Sequence, residues 1–130
     1  MQLRPIMKKI FIDIDGTICE NRDTLRKILP LATYEDVAPR PERIKIINIL
    51  YVTGDYHITY WTGRGSVSGE DYTDLTKRQL REWNVEYHEL IVGNKPHFDM
   101  YVCDKSFNSE SWFKNPAAYL TKWNTKEKKC

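Results

Sequence analysis

Cysteine is scarce in this sequence, which contains only Cys19, Cys103 and Cys130 among its 130 residues. The three cysteines form neither an even set nor a Cys-x-x-Cys pair, which argues against a disulfide framework and against a zinc site. A reducing compartment is therefore the default, and we expect a cytoplasmic protein.

Long apolar runs and a strong net charge are also missing. No apolar run approaches the ~18 residues of a membrane span, and the opening stretch MQLRPIMKK has no apolar signal-peptide segment. The net charge is only +2, so a general attraction to nucleic acid is not implied. We expect no membrane partner, and a nucleic-acid substrate is compatible with the sequence but not favoured.

The chain length fits one domain with one core. Residues 1–7 are predicted to be an N-terminal extension and residues 125–130 a flexible tail. A single domain is predicted to occupy residues 8–124. The oligomeric state is left open by the sequence.

Apolar segments typical of strands alternate with segments at helical spacing. A helix is predicted to begin at Pro41 and to end at Gly54, and a second is predicted within GEDYTDLTKRQLREWNV, with one or two short helices in SESWFKNPAAYLTKW. The predicted strands are IFIDI, residues 57–62, EYHELIVG and DMYVCD. This alternation predicts a Rossmann-like three-layer α/β/α fold with a mainly parallel sheet.

Polar residues stand at the ends of these predicted strands. Asp13 and Asp15 follow the first strand, Thr62 and Gly63 close the second, and Asp104 closes the fourth. Ligands of open parallel sheets bind beyond the carboxyl ends of the strands. We therefore expect these residues in one crevice, where the carboxylates suit a hard cation such as Mg²⁺ together with a substrate phosphate.

These residue types support phosphoryl transfer. A carboxylate such as Asp13 can attack phosphorus to give an aspartyl phosphate, and Asp15 can protonate the leaving oxygen and then activate water. Lys95 and the Thr62 hydroxyl can balance the charge of the phosphoryl group.

Three stretches carry a family resemblance: FIDIDGTI, YWTGR and NKPHFDMYVCDKS. In order and spacing they resemble the motifs of the haloacid dehalogenase superfamily over about residues 8–106. The resemblance implies a phosphatase in which Asp13 is the nucleophile and Asp15 the general acid and base. It further implies phosphoryl or substrate contacts from Thr62, Gly63, Arg64 and Lys95, and magnesium ligands from Asp13, from Asp15 through its backbone carbonyl, and from Asp104.

KPHFDMYVCDK is most similar to the short, capless branch of that family. Cys103 stands where that branch has the first Asp of an acidic pair, and an uncharged thiol contributes little to a hard cation, so weakened magnesium binding is expected. No separate cap domain fits between the motifs. An open crevice favours a substrate with a large leaving group.

Several functions stay open at this point. A phosphatase acting on a small sugar phosphate and a polynucleotide 3′-phosphatase share the same chemistry. Dehalogenase chemistry is disfavoured because a halide leaves without protonation and needs no second acid. A non-catalytic phosphate-binding or regulatory module on the same scaffold is the competing class, suggested by Cys103 alone.

Overall fold

The computed structural model describes residues 7–121 of the chain. These residues divide into two compact units, the first ending at His97 and the second beginning at Phe98. The predicted extension, apart from Met7, and the predicted tail lie outside the described residues. The predicted extent of the domain, residues 8–124, stays a prediction.

The first unit contains an open sheet of three parallel strands in the order β1–β2–β3. The strands are β1 (Lys8–Ile12), β2 (Tyr56–Thr62) and β3 (Glu89–Val92). Each pair of neighbours is consecutive in the chain and is joined through a helix, so each connection is a crossover of the kind that parallel strands require. The chain therefore has a small α/β architecture consistent with a Rossmann-like fold.

Helix α2 (Pro41–Thr53) connects β1 to β2 and confirms the bounds predicted for it. It has Pro41 in its first turn, where no backbone N–H is needed. Gly54 ends it in the left-handed region, with a φ of 80° that favours glycine. The predicted apolar face is buried, and it consists of Ile44, Ile47 and Leu50.

Helix α3 (Thr73–Glu82) connects β2 to β3 and also lies within its predicted segment. Its buried side chains are Thr76, Gln79 and Leu80. Between β1 and α2 the chain forms a short helix α1 (Arg22–Leu25) and a 3₁₀ turn over Tyr34–Asp36. The sequence predicts one helical turn in this connection, and the structure contains two.

The prediction of a fourth strand over DMYVCD is wrong. Residues 99–104 form no strand, and Met100 and Val102 are more than three-quarters exposed. Alternating apolar residues form a strand only where a neighbouring strand supplies hydrogen bonds and a packed face. In the second unit, helix α4 (Ser109–Lys114) is capped by Asn108, and residues 116–121 are helical as well, which confirms the predicted short helices up to residue 121.

No helix of the described part of the chain is long and apolar enough to cross a membrane.

Candidate active site

The turn after β1 positions the first pair of predicted site residues. Gly16 has a φ of 79°, which an L side chain rarely adopts, and the backbone N–H of Thr17 donates to the Ile14 carbonyl at 3.0 Å. The side chains of Arg40 and Arg43, at the start of α2, donate to the carbonyls of Gly16 and Thr17 at 3.3 and 3.1 Å. The turn over residues 14–17, the motif turn, is therefore held in place by a helix that begins more than twenty residues later in the chain.

Asp13 lies directly after β1 and faces Lys95. Its Oδ1 is 3.3 Å from the Lys95 Nζ, and the side chains of Asp13 and Lys95 are 43% and 18% exposed. Burial raises the pKa of Asp13 above its ordinary value, against the attraction of Lys95, which lowers it. The predicted nucleophile and the predicted phosphoryl-binding lysine thus meet at one edge of the sheet, with part of the carboxylate accessible to a ligand.

The Lys95 ammonium also lies beside an aromatic ring of β2. Its Nζ is 5.2 Å from the centroid of the Trp61 ring, within the range of a cation–π contact. The Trp61 indole N–H in turn donates to the Asn94 Oδ1 at 3.0 Å. These contacts limit where a long, otherwise mobile lysine side chain can place its charge.

Asp15 is held by Arg64 in a two-point ion pair. The Arg64 Nε donates to the Asp15 Oδ2 at 3.0 Å, and its Nη2 donates to the Oδ1 at 2.9 Å. The Arg64 side chain is fully buried, whereas 18% of the Asp15 side chain is exposed. Bidentate pairs of this kind fix the plane of the carboxylate as well as its charge.

Arg64 receives further partners from α3. Its Nη1 donates to the Thr76 Oγ1 at 3.2 Å and to the Gln79 Oε1 at 2.5 Å, and the Gln79 amide donates to the Tyr34 carbonyl at 2.6 Å. A buried guanidinium is costly unless its charge and its donors are paired. The hydrogen bonds to Asp15, Thr76 and Gln79 therefore allow Arg64 to be buried. The sequence predicts Arg64 as a substrate ligand, but here its guanidinium contacts Asp15 and α3.

Cys19 completes the surroundings of Asp15. Its Sγ lies 3.6 Å from the Asp15 Oδ1 and 4.0 Å from the Arg64 Nη2. Burial, and then the nearby Asp15 charge, raise the pKa of this thiol to about 12. A buried thiol that stays protonated serves here as a small apolar neighbour with a weak donor.

Thr62 and Gly63 form the turn that leads from β2 to Arg64. The Thr62 Oγ1 accepts from the backbone N–H of Arg64 at 3.2 Å, and Thr62 is almost wholly buried. A Cβ on Gly63 would lie 3.1 Å from the Ser66 Oγ. Gly65 admits no side chain, because a Cβ there would lie 2.0 Å from the Glu70 carbonyl oxygen. The glycines therefore allow the backbone of this turn to pack closely.

The remaining predicted magnesium ligand, Asp104, belongs to the second unit, whereas Asp13 belongs to the first. It is exposed and lies in the irregular stretch that replaces the predicted strand. The neighbouring Cys103 thiol accepts from the backbone N–H of Lys105 at 3.3 Å, and this hydrogen bond lowers the pKa of Cys103. The structure therefore brings together Asp13, Asp15, Lys95, Thr62 and Arg64, all in the first unit.

The residues that are present fit a hard cation only in part. The accessible Asp13 carboxylate is the type of oxygen ligand that Mg²⁺ takes, but the Asp15 carboxylate is engaged by Arg64. Over residues 7–121 no group of three or more His, Cys, Asp or Glu side chains is placed to hold a metal ion. A Mg²⁺ ion held by Asp13 and the backbone at residue 15 would take most of its ligands from water and phosphate, as Mg²⁺ usually does in proteins.

Sequence reasoning missed the residues that support Arg64. Thr76 and Gln79 are three positions apart on α3, which places both on one helix face. Polar side chains on an otherwise inward face indicate a buried polar partner, and this signal was available at Gln79. Tyr34 carried no comparable signal, since its position depends on how the connection between β1 and α2 folds back.

Comparison with known proteins adds a likeness of fold. No family model matches the chain, and no curated protein matches it. The chain is similar to a protein from Vibrio cholerae whose crystal structure was determined as an MCSG target, with a TM-score of 0.71 and 21% sequence identity over 93% of this chain and 99% of that one. At this level of identity the likeness extends to the fold alone.

Proposed function

We propose that this protein is a magnesium-dependent phosphatase of the haloacid dehalogenase type, without a cap domain, which hydrolyses a phosphomonoester through an aspartyl phosphate on Asp13. The observation that carries the proposal is the 3.3 Å contact between the Asp13 carboxylate and the Lys95 ammonium at the carboxyl edge of a parallel sheet. A carboxylate nucleophile needs a nearby cation to accept the charge of the incoming phosphoryl group.

In the first step an Asp13 carboxylate oxygen attacks phosphorus, and the bond between phosphorus and the leaving oxygen breaks. Asp15, which enters this step in its protonated form and recovers the proton from water in the second step, gives a proton to that oxygen, so the alcohol leaves in its neutral form. In the second step Asp15 takes a proton from water, the water oxygen attacks phosphorus, and the acyl–phosphate bond breaks. Inorganic phosphate is released, and the Asp13 carboxylate is regenerated.

The other side chains position these groups. Lys95 and the Thr62 hydroxyl are suited to bind the equatorial phosphoryl oxygens. Arg64 orients Asp15 through the two-point pair, so it acts as a positioning residue. Asp13 and the backbone carbonyl of residue 15 would hold Mg²⁺ in the first unit, with water and substrate phosphate as its other ligands. Mg²⁺ bound at Asp13 would supply positive charge to the phosphoryl oxygens.

The absence of a cap is part of the proposal. The connections on either side of β2 are taken up by the short α1, the 3₁₀ turn, α2 and α3, which leaves no separate domain among these elements. An open site suits a phosphomonoester with a large leaving group.

The test is the release of phosphate from an aryl phosphate in the presence of Mg²⁺, by the wild type and by Asp13→Asn. The variant is isosteric, so we expect turnover to fall by at least about 1,000-fold while the circular dichroism spectrum is kept. Asp55→Asn is the matched control, since Asp55 is exposed and precedes β2 at the opposite end of the strands. Wild-type levels of phosphate release from Asp13→Asn would overturn the assignment. If the wild type binds phosphate without turning over any phosphomonoester, the non-catalytic module is favoured instead.

A further inference from the structure

We propose that Arg22 binds a second phosphate group carried by the leaving portion of the substrate, which makes it the residue that selects the substrate class. This inference rests on the proposed function. The observation behind it is a partly buried guanidinium that is linked to the Asp15 ion pair through the Tyr34 ring and whose Nε has no hydrogen-bond partner among the described residues.

Helix α1 begins against the turn that presents Asp15. Asn21 caps this helix by accepting from the backbone N–H groups of Asp23 and Thr24 at 2.9 and 3.3 Å. A Cβ on Gly16 would lie 3.6 Å from the Asn21 Nδ2, so the capping residue is a direct neighbour of the residue after Asp15. Arg22, the first residue of α1, is thereby placed next to the motif turn.

The Tyr34 ring connects Arg22 with the Asp15 ion pair. The Arg22 Cζ lies 4.1 Å from the ring centroid, and the Arg64 Cζ lies 4.6 Å from the same centroid. Both distances are within cation–π range. Because Arg64 is in direct contact with Asp15, the Tyr34 ring and Arg64 link the Arg22 guanidinium to Asp15.

The guanidinium of Arg64 is fully hydrogen-bonded to its neighbours, whereas that of Arg22 is not. Among the residues described, the Arg22 Nε is buried and has no hydrogen-bond partner. Its ion pair with Asp23 spans 3.5 Å, and the Asp23 side chain is 80% exposed, so that pair contributes little. A buried donor without a partner is costly, and a phosphate oxygen bound to this guanidinium would offset the cost.

The direction of the leaving group follows from the chemistry. Asp15 protonates the leaving oxygen, so the leaving group must extend past Asp15. Arg22 is linked to Asp15 through the Tyr34 ring and Arg64. A planar guanidinium is suited to bidentate recognition of phosphate, and a phosphate group next to the leaving alcohol occurs both in sugar bisphosphates and in 3′-phosphorylated oligonucleotides.

The experiment compares kcat/KM for an aryl phosphate with no second anion, a sugar bisphosphate and a dinucleotide with a 3′-phosphate. The proteins are the wild type, Arg22→Gln, Arg22→Lys and, as the matched control, Lys27→Gln, which removes an exposed charge from the same segment. We expect Arg22→Gln to lose about 10- to 100-fold on one of the substrates with a second phosphate, and less than about threefold on the aryl phosphate. Arg22→Lys should keep part of the preference, and Lys27→Gln all of it.

The substrate on which the loss appears identifies the source of the second phosphate. Equal losses on all three substrates, or none, would overturn the proposal. A second measurement uses the wild type alone: for the sugar bisphosphate or for the dinucleotide, kcat/KM should exceed that for the matched compound without the second phosphate by about tenfold or more. Equal values in both comparisons contradict the role of Arg22. A wild type that hydrolyses none of the substrates refutes the proposed function itself, and the Arg22 proposal with it.

Discussion

Polar side chains at the carboxyl ends of β1 and β2 are fixed by contacts with distant segments of the chain. Most side chains of residues 98–107 are exposed to solvent. Asp15 is paired with a buried arginine that is itself held by α3, and Asp13 is paired with Lys95. Cys103 and Asp104 lie in a stretch without helix or strand. The two regions carry equally recognisable sequence motifs. The difference shows that a motif predicts residue types, while tertiary partners decide how rigidly they are held.

The largest expected contrast between the two regions is in cysteine reactivity. The Cys19 thiol is buried with a pKa raised to about 12, and the pKa of the accessible Cys103 thiol is lowered from its ordinary value of 9.0. At pH 8 the thiolate fractions should differ by at least about 1,000-fold. In a Cys130→Ser background, iodoacetamide should label Cys103 rapidly and Cys19 only after denaturation. Similar labelling rates in the native protein, measured by peptide mass spectrometry, would remove the contrast.

Arg64→Ala tests whether the first region is held as the contacts indicate. Removal of the guanidinium leaves the largely buried Asp15 carboxylate and the Gln79 amide oxygen without their partner, so the free energy of unfolding should fall by about 3–5 kcal/mol. The measurement is equilibrium urea unfolding. Arg78→Ala is the control, because Arg78 forms an exposed pair with Glu35 at 2.8 Å, and exposed pairs contribute little. A stability loss no greater for Arg64→Ala than for Arg78→Ala would contradict the assigned role of Arg64.

The smallest expected effect comes from restoring the acidic pair in the second region. Under the proposed function, Cys103→Asp should lower the Mg²⁺ concentration that gives half-maximal phosphatase activity by up to about tenfold, because a hard cation prefers a carboxylate to a thiol. The unfolding midpoint should stay unchanged, because the side chain is not in the core. A Mg²⁺ titration identical to that of the wild type would show that Cys103 does not account for the metal affinity. Cys103→Ser separates loss of the thiol from gain of the charge.

How far the sequence predicts this molecule depends on whether a feature is local. Helix α2 was predictable from Pro41 and Gly54, and the contact between Asp13 and Lys95 followed from strand ends that meet in a parallel sheet. DMYVCD has the local pattern of a strand, but a strand also needs a neighbouring ladder, which no local pattern reports. The Arg64 side chain is buried because it donates hydrogen bonds to Thr76 and Gln79 of α3. These residues are distant in sequence and come into contact only when the chain is folded.

The central claim, that Asp13 is a covalent nucleophile, is tested most directly by trapping the intermediate. Borohydride reduces an acyl phosphate to an alcohol, so Asp13 that carries a phosphoryl group is converted to homoserine, which peptide mass spectrometry detects. With an aryl phosphate whose leaving group needs no proton, Asp15→Asn slows the hydrolytic step alone and should raise the trapped fraction. We predict homoserine at position 13 in protein treated with substrate and Mg²⁺, and none without substrate. Turnover of the substrate with Asp13 unmodified under these conditions would contradict the account.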